Sequence, residues 1–347
     1  PVVHDEHPSN VVEEVMISRG DIDAGFHQAD CVHEETYTTQ LQNQAFMEPI
    51  GCLANYESSG RMTVWVSTQV VYFARQLIAT ALGLPISRVR VIQPYVGGAF
   101  GGKCFEEPTP LIAAALSWQT QLPVFLHKNR LDEFQAGRPC TPARIALKMG
   151  ITNDGSITAK QASIITDNGA YTGIAPEIMK VTAYRADSLY RLKNISTVAR
   201  LVYTNKTPTG SFRGFGGPQM SFAFESHLDM MAEMIGMEPR EVRLRNASEV
   251  GDVSVHGWEF GSCGLRECIE KSTAQIGWER RGSLPAEGPV RRGLGMACAI
   301  HVTANRQLGD WDGSTAIVKI NEDGRVNVLS GEGDIGQGNY TVLAQIA

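Results

Sequence analysis

The sequence predicts an α+β fold of mixed sheets with packed helices, organised as one complete domain and the start of a second. Three observations carry this. Apolar residues alternate at period two in several segments, and the pair at 144–152 and 156–166 is joined by Asn153-Asp154-Gly155, residues that tolerate the positive φ of a tight hairpin. Elsewhere apolar residues recur at helical spacing, as Val70, Phe73, Ala74, Leu77 and Ala81 do ahead of Gly83 and Pro85. Glycine, proline and charge then concentrate between residues 251 and 293, around GSLPAEGP at 282–289 and Arg291-Arg292.

Taken in order, residues 13–29 are polar and amphipathic, with Asp21-Ile22-Asp23 leading into a short helix over 24–29. Residues 32–40 alternate as a strand, and 62–66 form another. Ser67 and Thr68 are of the type that caps the helix beginning near Val70. Gln69 stands at that junction, where its residue type alone suggests an exposed first-turn position. Residues 110–119 read as a buried, alanine-rich helix and 124–127 as a core strand. A helix over 221–237 turns Phe222, Leu228, Met231, Met234 and Ile235 toward a core, its methionines serving as packing. A short helix follows at 265–275. A second hairpin, 316–320 and 325–329 around Asn321-Glu322-Asp323-Gly324, predicts two sheets, one per domain. The expected division is therefore 1–250, a connecting segment 251–292, and 293–347 as the beginning of the second domain.

Composition excludes several classes. A net charge of -6 over 347 residues supplies no basic face for nucleic acid. No apolar run approaches the roughly 18 residues a membrane span requires, and no signal peptide opens the sequence. The seven cysteines are dispersed without a C-x-x-C pair, which supports neither a zinc site nor an iron–sulfur cluster and suits a reducing, cytoplasmic compartment. None of the eight histidines falls in an H-x-x-x-H pattern, so no protein metal ligand is predicted. The start at Pro1 and the end at Ala347, shortly after a glycine motif, suggest a piece of a longer protein.

The chemistry concentrates in three glycine clusters. Val89, Val91, Ile92 and Val96 mark a strand that feeds Gly97-Gly98-Ala99-Phe100-Gly101-Gly102-Lys103, four glycines in seven residues. Such a loop lets peptide N–H groups approach an anion closely. It fits the body of a phosphate-binding P-loop, but Cys104 stands where Ser or Thr must hold Mg²⁺. Glu106, Glu107 and two prolines also delay the next helix to about Pro110, so a nucleotide reading fails on both counts. A turn with no ligand remains an alternative. After a strand over 197–203 comes the second cluster, Gly210-Ser211-Phe212-Arg213-Gly214-Phe215-Gly216-Gly217-Pro218-Gln219, which holds a cation and aromatic rings on a backbone open to a ligand. The third cluster, at 331–338, reads GEGDIGQG.

Together GGAFGGK, FRGFGGPQ, VSTQ at 66–69 and the terminal GQG segment resemble the molybdenum-binding subunit of the xanthine dehydrogenase and aldehyde oxidase family of molybdenum hydroxylases. The motifs stand in the family's order and span nearly the whole chain. The resemblance implies a molybdopterin whose dithiolene carries molybdenum with oxo and sulfido ligands, and hydroxylation of a carbon with oxygen from water. It also implies electron transfer to 2Fe-2S and FAD partner domains or subunits, and it leaves room for a homodimer of the complex. By this resemblance Gln69 would hydrogen-bond an oxo ligand, and the Gly98-Ala99-Phe100-Gly101 backbone would line the metal's outer sphere. Arg213 would border the dithiolene, Gln337 between Gly336 and Gly338 would meet the pterin edge, and Phe215 would face flat substrates unless it packs as a core phenylalanine.

Two departures from the family's purine-oxidising members bear on substrate. Cys104 stands where they have glutamate, and Val181 where they have arginine; losing both polar handles disfavours xanthine and favours a less polar aromatic heterocycle or an aldehyde. The family's general-base glutamate belongs to a C-terminal region outside this sequence. The chain alone is therefore expected to be inactive and free of cofactor. A non-catalytic scaffold of the same fold is the competing reading, disfavoured because Gln69, Phe100, Arg213 and Gln337 are all present.

Overall fold

A computed structural model describes residues 1–104, 107–283, 285, 287–301 and 315–347. The first half contains β1 (Val11–Arg19), α1 (Ile22–His27), β2 (Cys31–Thr38), β3 (Gly51–Tyr56), β4 (Met62–Val66), α2 (Val71–Leu82), β5 (Val89–Ile92), α3 (Pro108–Thr120), β6 (Val124–His127) and α4 (Arg130–Ala136). Then follow β7 (Ala143–Ile151), β8 (Ile157–Gly169), α5 (Ala175–Tyr184), β9 (Ile195–Tyr203), α6 (Gly217–Met234), α7 (Pro239–Asn246), α8 (Leu265–Ile276), β10 (Ala316–Ile320), β11 (Val326–Ser330) and α9 (Asn339–Ile346). The α+β reading holds. Among the described residues no helix is long and apolar enough to cross a membrane.

The strands form a five-stranded sheet in the order β1-β9-β8-β7-β2, a four-stranded sheet β5-β4-β3-β6, and the β10-β11 hairpin. Two of the three thus lie before residue 251, where the sequence had suggested one. Each has its own core: Ile145, Leu147, Ile164 and Leu201 share a cluster with Met179, Phe224, Leu228 and Met231 of α5 and α6. Cys52, Val64 and Val66 share another with Ile78 and Ala113 of α2 and α3. The site lies where elements of both systems meet.

Several elements escaped the sequence reading. The polar stretch containing residues 13–19 is an edge strand, β1, antiparallel to β9, and only Val12, Val15 and Ile17 pack on the core. A strand that buries half of one face shows weak alternation. β3 is six residues containing Gly51 and Asn55, poor strand formers, yet it lies between β4 and β6. On α6, Phe222 and Met234 are 51% and 53% exposed, while Met220, Phe224 and His227 take the buried face. Thr68 rather than Ser67 serves the start of α2, its Oγ1 accepting the Val70 N–H at 3.1 Å, and Gly83 in a left-handed conformation ends it. The expected hairpins form at both predicted turns.

α6 also buries an imidazole. His227 Nδ1 lies 3.1 Å from Tyr37 Oη, and its ring is 4.9 Å from that of His33. Burial, then His33, lowers the His227 pKa from 6.5 to about 4. The folded state therefore favours neutral imidazole, and this contribution is complete above pH 6.5 and lost as pH falls toward 4. Between pH 7.5 and pH 5 the urea midpoint should drop by an amount corresponding to roughly 2 kcal/mol from this residue. His227→Gln should flatten the drop; a midpoint equal at the two pH values would contradict it.

Candidate functional site

Beyond β5 the chain enters the first glycine loop. Gly98, Phe100 and Gly101 all take positive φ, and Gly102 N–H donates to the Ala99 carbonyl at 2.9 Å. Phenylalanine at a φ of +51° is uncommon, and such strain clusters at binding sites. The turn aims the Gly101 N–H at Gln69 Oε1, 2.9 Å away, while Gln69 N–H donates to the Lys103 carbonyl, also at 2.9 Å. Gln69 is thus built into the loop rather than left in a solvent-facing first turn.

Lys103 is 1% exposed, with Nζ 2.8 Å from Glu48 Oε2 and 4.7 Å above the Phe46 ring. Glu48 Oε2 also accepts the Gly97 N–H at 2.6 Å. Burial lowers the Lys103 pKa, opposed chiefly by Glu48. The lysine is an internal brace and cannot serve as a phosphate ligand, which closes the nucleotide reading. α3 begins at Pro108, slightly before the predicted Pro110, with Glu107 as its N-cap and paired to Lys128 at 2.8 Å. Glu106 lies outside the described residues.

The second loop is bonded to the first through Arg213 N–H, which donates to the Phe100 carbonyl at 3.0 Å. Gln44 Nε2 holds the Ser211 carbonyl at 2.6 Å. Phe215 takes a φ of +49° between Gly214 and Gly216, themselves at +95° and +89°, and Gly216 rests on α5. The Arg213 side chain is exposed.

In the third loop Asp334 Oδ1 accepts the Gly336 N–H at 2.8 Å and the Gly338 N–H at 3.4 Å. These bonds, led by Gly336, lower its carboxyl pKa. Gln337 spends both ends of its amide locally, Oε1 accepting the Ile335 N–H at 2.7 Å and Nε2 donating to the Gly333 carbonyl at 3.1 Å. Gln93 ties this loop to the rest, donating to the Thr68 carbonyl at 2.6 Å and accepting from Tyr340 Oη at 3.1 Å.

The three loops wall one cleft of about 870 Å³. Gln69, Gly98, Ala99, Phe100, Gly101 and Cys104 line it from one side, and Arg213, Phe215, Gly336 and Gln337 from the other two loops. Gly338 stands just outside as the N-cap of α9, and Val181 is buried within α5 away from the cleft wall. Across Phe100, Phe212 and Arg213 lies a second recess of about 900 Å³, lined also by Gln42, Gln44, Cys140 and Gln219. Sequence reading missed Glu48, Gln93 and Gln44, because no local pattern ties such distant residues to the loops they hold. The cleft offers backbone N–H groups, an amide and a guanidinium between aromatic rings, a donor set suited to an anionic, planar group. Among the described residues no cluster of three or more His, Cys, Asp or Glu is placed to hold a metal ion.

The molybdopterin cofactor-binding domain model matches residues 3–247, and a second model of that description matches 269–347. The chain is 33% identical over 340 residues to the xanthine dehydrogenase molybdenum-binding subunit of Escherichia coli, covering 97% of this chain and 45% of that protein. It is 34% identical over 273 residues to the nicotinate dehydrogenase large molybdopterin subunit of Eubacterium barkeri, covering 78% and 64%. In structure it resembles quinoline 2-oxidoreductase from Pseudomonas putida with a TM-score of 0.87 and 26% identity, over 97% of this chain and 45% of that one. The chain spans about half the length of most of these relatives.

Proposed function

Because the chain belongs to the molybdenum-binding subunit family of xanthine dehydrogenase and aldehyde oxidoreductase, we propose that its cleft holds a molybdopterin and that the intact enzyme hydroxylates an aromatic heterocycle or an aldehyde. Oxygen would come from water, and electrons would pass to 2Fe-2S and FAD partners. The observation that carries this reading is the convergence of three glycine loops, more than a hundred residues apart, on one cleft that also contains Gln69.

The residues present fit such a group. Loops whose Cβ-free positions and N–H groups border the cleft suit an anionic cofactor. When bound, the molybdenum centre supplies two-electron redox chemistry and activates water. Gln69, its oxygen engaged by Gly101, has an NH₂ group left to donate toward an oxygen ligand. The Arg213 guanidinium supplies a further donor, and Phe215 offers a ring to a planar substrate; the Phe100–Gly101 peptide lines the cleft with its N–H held by Gln69. Gln337 has one amide hydrogen bonded to the Gly333 carbonyl and one left to donate toward the pterin edge. Of the two specificity positions, Cys104 lines the cleft and Val181 does not, so contact discrimination against purines rests on Cys104. We also propose the division 1–250, 251–292 and 293–347, with the cofactor held between the flanking parts.

The test is metal and pterin analysis of the intact enzyme, with activity measured across heterocycles and aldehydes. Stoichiometric molybdenum with turnover is expected; folded protein without molybdenum would favour the non-catalytic scaffold. Gln69→Ala should lower kcat/KM by roughly 10–100-fold through loss of its donor and of the Gly101 anchor. Steady-state kinetics beside molybdenum content separate the two: unchanged kcat/KM at full metal loading would remove Gln69 from the site.

A further inference from the structure

β4 and β5 run parallel with Met62 paired to Val89, so the residues that precede them, Arg61 and Arg88, enter the sheet side by side. Like charges at neighbouring strand positions repel, and the fold carries that cost. Arg90 follows on β5, beside Thr63 of β4. From α2, Arg75 donates through Nε to the Val89 carbonyl at 2.8 Å and through Nη2 to the Ile86 carbonyl at 2.7 Å. Arg88 Nη1 donates to the Ser59 carbonyl at 3.0 Å. Carbonyl partners fix these two guanidiniums in place without neutralising them. All four arginines line one recess of about 510 Å³, together with Tyr72 and Gly331, and among the described residues no Asp or Glu lines it. A concave wall of one sign focuses its field on whatever enters. The concentration is the more telling on a chain whose net charge is -6.

Guanidinium forks match phosphate oxygens two at a time, and several of them on one wall suit a group with more than one phosphate. Tyr72, 61% exposed, adds an aromatic face of the kind on which a base stacks. We propose that Arg61, Arg75, Arg88 and Arg90 form a diphosphate site, with Tyr72 taking the ring of a nucleoside that carries the diphosphate. The recess shares no lining residue with the cleft of the three glycine loops, so it is a second site. It nonetheless adjoins that cleft, because Val71 follows Gln69 by two residues and Gly331 opens the third loop. The site stands on its own geometry and does not depend on the hydroxylase reading.

The test is calorimetric titration of the intact enzyme with ADP, pyrophosphate and adenosine. ADP and pyrophosphate should bind, more weakly in raised salt, and adenosine should not. Arg61→Met combined with Arg90→Met leaves the carbonyl-bonded Arg75 and Arg88 in place and should weaken both ligands roughly 10-fold or more. Arg61→Lys with Arg90→Lys, which keeps the charge but loses the fork, should retain part of the affinity. Tyr72→Ala should bring ADP down to the affinity of pyrophosphate. Absent binding, or binding unchanged by the two methionine substitutions, overturns the site. Adenosine binding as tightly as ADP overturns the diphosphate assignment. Polyglutamate that binds through Arg61 and Arg90 where pyrophosphate does not would overturn the small-molecule reading in favour of an acidic partner protein.

Discussion

Gly216→Ala should cost roughly 3 kcal/mol or more and release the second glycine loop from α5. The residue has a φ of +89°, and an added Cβ would sit 2.3 Å from the Ile178 carbonyl oxygen and 2.8 Å from Thr182 Oγ1. The first of these is backbone in the middle of a buried helix and cannot swing aside. Left-handed geometry alone costs a non-glycine residue about 1–2 kcal/mol, and the remainder of the effect is steric. Gly257→Ala separates the contributions, since that residue has a φ of +80° with nothing within 4 Å of the added carbon. Chemical denaturation of both variants should show the larger loss at 216, and cofactor content of the intact enzyme should fall only there. Equal losses would mean that backbone strain, not the contact with α5, governs the position.

The second large effect concerns the brace under the first loop. Glu48→Ala leaves Lys103 Nζ buried without its anion and removes the acceptor of the Gly97 N–H; a cost of about 3 kcal/mol is expected. Lys103→Met should cost less. It removes the buried cation, while the Glu48 carboxylate, 37% exposed, can still be hydrated and still accept from Gly97. The double variant should therefore be more stable than Glu48→Ala alone. Urea midpoints for the three proteins decide the order, and a Lys103→Met loss exceeding that of Glu48→Ala would refute the brace.

These two predictions fall on residues of different legibility. Gly216 belongs to a cluster conspicuous in the sequence, where its role in lining a ligand site was the expectation. Its contact with Ile178 was not visible, because packing of a loop on a helix forty residues earlier leaves no periodic trace. Glu48 was missed outright. A single acid in a polar stretch carries no signal until the fold brings it to Lys103, a lysine whose P-loop reading the sequence had already disfavoured. The edge strand β1 and the short central strand β3 were obscured for a related reason: their place in the sheets comes from neighbours, β9 and the β4–β6 pair, more than from their own composition.

By itself the sequence determined the α+β class, the two hairpins, the strand and helix flanking Gln69, and the three glycine loops. These are local consequences of period, turn chemistry and conformational freedom, which neighbouring residues decide among themselves. Only the tertiary structure decided that the loops share one cleft, that Gln69 faces Gly101, and that Lys103 is spent on Glu48. Hydrogen bonds and charge pairing between distant segments depend on distances of a few ångströms, and the folded chain sets those distances.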